Sequence, residues 1–91
     1  MQVEFHKKFD KDIAKIKLKS VEDAVEEQIV AVEKCETLVD FIRLPDVTKM
    51  VGYEDYYRIK FGDYRIGTKV VDGVIHFVRF GTRSKIYKIF P

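Results

Sequence analysis

Arg58, Lys60 and Arg65 are set in YYRIKFGDYRIG with glycine and aspartate between the second and third cations, and Arg83, Lys85, Tyr87 and Lys88 follow in TRSKIYKIFP. Cations at alternate positions of a strand share one face, and guanidinium and ammonium groups together grip phosphate. Residues 47–91 hold nine Lys/Arg against four Asp/Glu, net +5, while residues 1–46 hold eight against eleven, net −3. The overall charge of +2 therefore hides a basic, aromatic-rich C-terminal half suited to a polyanion such as nucleic acid, or to an acidic protein.

A hairpin must position these groups. Gly62-Asp63 and Asp72-Gly73 are two-residue turn signals between runs of β-branched and aromatic residues, which predicts strands 56–61, 64–71 and 74–80 in an antiparallel meander. A loop at 62–63 pairs Phe61 with Tyr64, Lys60 with Arg65, Ile59 with Ile66, Arg58 with Gly67 and Tyr57 with Thr68. One face then carries Tyr57, Ile59, Phe61, Tyr64 and Ile66; the other carries Arg58, Lys60, Arg65 and Lys69. Lys60 opposite Arg65 is a like-charge pair that costs stability, and the crowding makes Lys60 the lysine expected to give up its proton readily. For the third strand, the 72–73 loop puts Val74, His76, Val78 and Phe80 on the basic face and Arg79 on the apolar one. A bulge or three-residue loop reverses this, with Arg79 beside Arg65 and Val78 and Phe80 in the core. His76 reads as structural.

Upstream, QVEFH predicts a short strand at 2–6. Residues 7–17 predict an amphipathic helix, and a second runs over 21–34 with Ser20 as N-cap and Val21, Val25, Ile29 and Val32 as its apolar stripe. Residues 36–55 read as a helical turn and an irregular connection, and the segment after Gly81 as a tail near the open sheet face. The fold class is α+β: a short N-terminal strand and two amphipathic helices on one face of an antiparallel sheet of about four strands, in one domain over 1–91.

Composition excludes several classes. A content of 46% hydrophobic residues supports a core, and no apolar run is long enough to span a membrane. One cysteine, Cys35, forms no internal disulfide and reads as a partly buried small apolar side chain. Two histidines give no ligand set at zinc spacing, so neither a metal nor a cofactor is expected. A cytoplasmic location is expected.

YYRIKFGDYRIG and IHFVRFGTRSKIYKIFP, after a strand and two helices, resemble the RelE/ParE superfamily of toxins from type II toxin–antitoxin pairs, across essentially the whole chain. The most specific elements are Arg58, Lys60 and Arg65, then Gly81, Arg83 and Tyr87. The resemblance implies a ribosome-dependent endoribonuclease that cuts messenger RNA without metal, by attack of a 2′-OH on the adjacent phosphate. It implies Lys60, Arg65, Arg83 and Tyr87 as catalytic residues, with Lys60 or Tyr87 as base. Arg58, Lys69, Arg79, Lys85 and Lys88 would bind RNA, and Tyr87 sits fewer residues after Arg83 than in the family. Implied partners are the ribosome, messenger RNA and a cognate antitoxin that is acidic or carries an amphipathic helix; no membrane is involved. Two alternatives stay open: a ParE-like inhibitor of DNA gyrase, and a decayed toxin that only binds its antitoxin.

Overall fold

The computed structural model describes Met1–Pro91. Its elements are β1 (Val3–Phe5), α1 (Lys7–Ala14), α2 (Lys19–Glu33), α3 (Leu38–Ile42), β2 (Val47–Lys49), β3 (Tyr56–Phe61), β4 (Tyr64–Val71), β5 (Val74–Thr82) and α4 (Arg83–Ile89). The strands form one sheet in the order β1-β5-β4-β3-β2. The α+β layout is the expected one, with three additions. The sheet has five strands, β1 runs parallel to β5, and α3 and α4 join the two long helices.

Both helices shift against expectation. α1 ends at Ala14, and α2 starts at Lys19 with Leu18 at the N-cap, so Ser20 lies inside the first turn and does not cap it. The connection over 36–55 is more ordered than its composition suggests. Thr37 and Asp40 form a reciprocal capping box that starts α3, and Val47–Lys49 pairs with β3.

The β3–β4 register is the predicted one, from Phe61↔Tyr64 through Lys60↔Arg65 to Tyr57↔Thr68. Gly62 takes φ +55°, the left-handed conformation that glycine adopts without a Cβ penalty and that a first turn residue of this kind requires. Ile59, Ile66, Ile75, Phe77 and Phe80 on one sheet face join Phe9 of α1, Val25 and Val32 of α2 and Phe41 of α3 in a single buried cluster.

The third strand resolves its ambiguity by combining both options. The Asp72-Gly73 loop is a two-residue turn, with Val71 opposite Val74, but a bulge at Val78 changes the parity beyond it. Ile75 and Phe77 point into the core before the bulge and Phe80 after it, while Val78 is only half-buried. Arg79 lies opposite Gly67 and not beside Arg65, whose partner is Gly81.

Asp12 accounts for where Arg79 goes. β1 covers β5 only over Ile75–Phe77, which leaves the next stretch of β5 edge open. There Asp12 accepts the Phe80 N–H at 3.0 Å and binds the Arg79 Nε and Nη2 at 2.8 and 3.1 Å. Burial pushes the Asp12 carboxyl up, but the Arg79 hydrogen bond, the Phe80 N–H and the nearby charges of Arg79 and Lys85 outweigh it and hold it below the ordinary aspartate value.

Candidate functional site

The sheet face away from the core is crossed at one end by α4. Thr82 caps this helix by accepting the Lys85 N–H at 3.3 Å, and the Arg83 N–H donates to the Asp63 carbonyl of the β3–β4 turn at 2.7 Å. Ile86 and Phe90 are buried beneath α4, and the Phe90 ring rests over Gly67, where a side chain on the sheet would block it. Three anchors thus fix α4 against the hairpin: the turn at its start, Ile86 in its middle and Phe90 at its end.

This arrangement brings Thr48 of β2, Arg58 and Lys60 of β3, Arg65 of β4 and Arg83 and Tyr87 of α4 around one open depression of about 240 Å³. No carboxylate lines it. The protein's salt bridges are Lys19–Asp23 and Arg79–Asp12, so the four cations of the depression have no anionic partner within the chain. Arg65 Nη1 donates to the carbonyls of Gly62 and Tyr64 at 2.9 and 2.8 Å, which orients the guanidinium at the turn. Preorganised cations of this kind, with no carboxylate partner, suit a phosphate whose charge rises during reaction.

Tyr87 is 60% exposed and lies under the Arg58 guanidinium, 5.2 Å from ring centroid to Cζ. The Arg58 guanidinium first, and Arg83 after it, lower the phenol below its ordinary value, because each cation stabilises the phenolate. The site therefore contains an acid–base group that ionises more easily than a free tyrosine.

Arg58, Lys60, Arg65, Arg83 and Tyr87 are brought together by the structure. The remaining basic residues are not part of this cluster. Lys69 lies beyond Gly67 on β4, with its ammonium 5.2 Å from the Tyr56 ring centroid. Lys85 lines a separate groove with Lys15, Lys17 and Tyr64, its stem against Gly81. Lys88 is exposed in the last turn of α4. Arg79 is withdrawn into its pair with Asp12, with a side chain only 18% exposed, and so stands apart from the open cations expected to meet RNA.

Thr48 is absent from the residues that the sequence predicts, because the composition of 36–55 points to an irregular connection. The adjacent β-branched residues Val47 and Thr48 after Pro45 were the available signal.

Comparison with known proteins adds a second line of support. Residues 3–87 match the family described as the ParE toxin of type II toxin–antitoxin system, parDE. The chain is 39% identical to Toxin RelE3 of Methanocaldococcus jannaschii over 93 residues, spanning the whole of both proteins. Among solved structures it resembles the RelB-RelE antitoxin–toxin complex from Methanococcus jannaschii at 33% identity and a TM-score of 0.77, covering 96% of this chain and 98% of that one. It also shares the fold of the intact E. coli RelBE complex, at 21% identity and a TM-score of 0.68, over 89% of this chain and 94% of that one.

Proposed function

This chain belongs to the RelE/ParE superfamily of type II toxins and is a RelE-like toxin, and from that premise we propose that it cuts messenger RNA on the ribosome, using the depression under α4 as its active site. The observation that carries the reading is the convergence of Arg58, Lys60, Arg65 and Arg83 on the phenol of Tyr87 around one depression.

RNA supplies its own nucleophile. A base removes the 2′-proton, the 2′-oxygen attacks the adjacent phosphorus, and the P–O5′ bond breaks to leave a 2′,3′-cyclic phosphate and a 5′-OH. Tyr87, whose phenolate the neighbouring guanidiniums stabilise, acts as the base. Arg65 and Arg83 bind the non-bridging oxygens and stabilise the extra negative charge of the phosphorane. The Lys60 ammonium, opposite Arg65, protonates the departing 5′-oxygen. Arg58 holds Tyr87 and the RNA backbone. The cations supply the charge stabilisation that a divalent metal supplies elsewhere, so the chemical step needs no metal ion at the scissile phosphate.

The solved relatives are toxin–antitoxin complexes with RelB, which supports a cognate antitoxin for this chain. An acidic segment is the partner chemistry that fits the basic depression. A ribosome-directed toxin works in the cytoplasm, and no helix here is long and apolar enough to cross a membrane.

The match to the ParE family favours a second reading, inhibition of DNA gyrase. Adding the protein to a reconstituted translation reaction and mapping RNA ends separates the two. Cuts within the codon in the ribosomal A site, absent with Arg65→Ala, support the nuclease; intact messenger together with stalled gyrase–DNA complexes supports the other.

A further inference from the structure

The two histidines stand 70 positions apart in the chain, yet His6 Nε2 and His76 Nδ1 are 3.1 Å apart on the surface, with the rings edge to face at a centroid distance of 5.2 Å. His6 occupies the N-cap position of α1 but makes no capping hydrogen bond, a position that Ser, Thr, Asp or Asn would normally satisfy. Its side chain is turned toward β5 instead.

We infer that His6 and His76 form a two-histidine chelate for a divalent transition-metal ion of the zinc or nickel type, remote from the RNA site and independent of the nuclease reading. Metal–imidazole bonds of about 2.0–2.1 Å, opened at an angle between square and tetrahedral, place the two nitrogens roughly 2.9–3.4 Å apart. The observed separation of 3.1 Å falls inside that window, and a small rotation of each ring aims both nitrogens at one ion. Imidazole is the ligand that such ions prefer, and water completes the coordination. In the free pair one ring donates N–H to the other. When the ion binds, that proton moves to the far nitrogen of its own ring, so two neutral imidazoles become two ligands and no proton is lost.

The flanking charges nearly offset one another. Glu4 lies opposite His76 on β1 and Lys69 opposite it on β4, with the Lys69 ammonium over the Tyr56 ring. The consequence is mechanical. β1 holds β5 by a parallel pairing of only three residues, and an ion joining His6 to His76 clamps the junction of β1 and α1 to the sheet.

Isothermal titration of the full chain, free of any histidine tag, with ZnCl₂ and with NiCl₂ tests the site. The expected result is one ion per chain, with affinity reduced at least tenfold by His6→Gln and by His76→Gln, and no further reduction in the double variant. Saturating Zn²⁺ should raise the wild-type Tm by about 10 °C, reversibly with EDTA, and raise the variants' Tm by no more than about half as much. As a readout that needs no variant, Zn²⁺ should shift the ring NMR signals of His6 and His76. Equal binding by wild type and both variants, no binding by wild type, or unmoved ring signals would overturn the site.

Discussion

The ring of Phe90 fills the space above Gly67, so that a Cβ built on this glycine would stand 2.6 Å from the ring's Cγ and Cδ1. The contact lies in the strand that carries Arg65 and at the end of the helix that carries Arg83 and Tyr87. A glycine on the sheet therefore controls how closely two sides of the basic depression approach each other.

Gly67→Ala forces Phe90 off the sheet, because 2.6 Å is far inside van der Waals contact. Overpacking of this kind costs about 1–3 kcal/mol, and α4 must lift or tilt to relieve it. RNA cleavage is expected to fall at least tenfold at a temperature where circular dichroism shows the variant fully folded. Wild-type cleavage by a folded Gly67→Ala protein would show that α4 need not lie against β4.

Lys60 illustrates a conflict between stability and function. It faces Arg65 directly across the strands, and like charges so placed cost up to about 1 kcal/mol. Lys60→Thr removes the repulsion and adds a β-branched residue to an exposed strand position. The urea midpoint should rise slightly while cleavage falls by about 10²-fold or more. A variant that is both less stable and fully active would place Lys60 outside the reaction.

The Asp12–Arg79 pair makes stability depend on acid. Because the folded Asp12 carboxyl sits below the ordinary value of about 3.9, its contribution is complete above that value and disappears as pH falls through the lower folded one. Denaturant midpoints of the wild type should therefore drop below about pH 4, and Asp12→Asn should remove part of that drop. At neutral pH Asp12→Ala leaves both the Arg79 guanidinium and the Phe80 N–H without their partner, a loss of about 3 kcal/mol. Identical acid titration of wild type and Asp12→Asn would exclude this carboxyl as the source.

These relationships were unequally legible in the sequence. Lys60 opposite Arg65 followed from Gly62-Asp63 alone, since a two-residue loop fixes register locally. The bulge at Val78 stood only as one of two options, and the contact beside it is made by Asp12, a side chain 67 positions before Arg79 that binds the open edge of β5. α4 was hidden for a different reason. Seven residues with only Ile86 and Ile89 as regularly spaced apolar positions give little periodic signal, and the helix is held by Phe90 reaching Gly67. Thr82 as N-cap was the cue available. His6 and His76 met only through the parallel pairing of β1 with β5, which no local pattern announces.

Tyr87 offers the most direct test of the mechanism. A general base acts in its deprotonated form, so when chemistry limits turnover the cleavage rate should climb with pH and level off once the phenol is ionised. Arg58 and Arg83 favour the phenolate, so the plateau should begin below the ordinary tyrosine value of about 10. Arg58→Met removes the larger of these influences and should move the plateau to higher pH, as well as weakening RNA binding. Tyr87→Phe should reduce the rate 10²–10⁴-fold and abolish the rise with pH, whereas Lys60→Thr should lower the rate while leaving the rise in place. Single-turnover cleavage on programmed ribosomes across the pH range measures all four proteins. A Tyr87→Phe protein that keeps the wild-type slope would transfer the base to another group, because the phenol's proton would then be irrelevant to the step that breaks the chain.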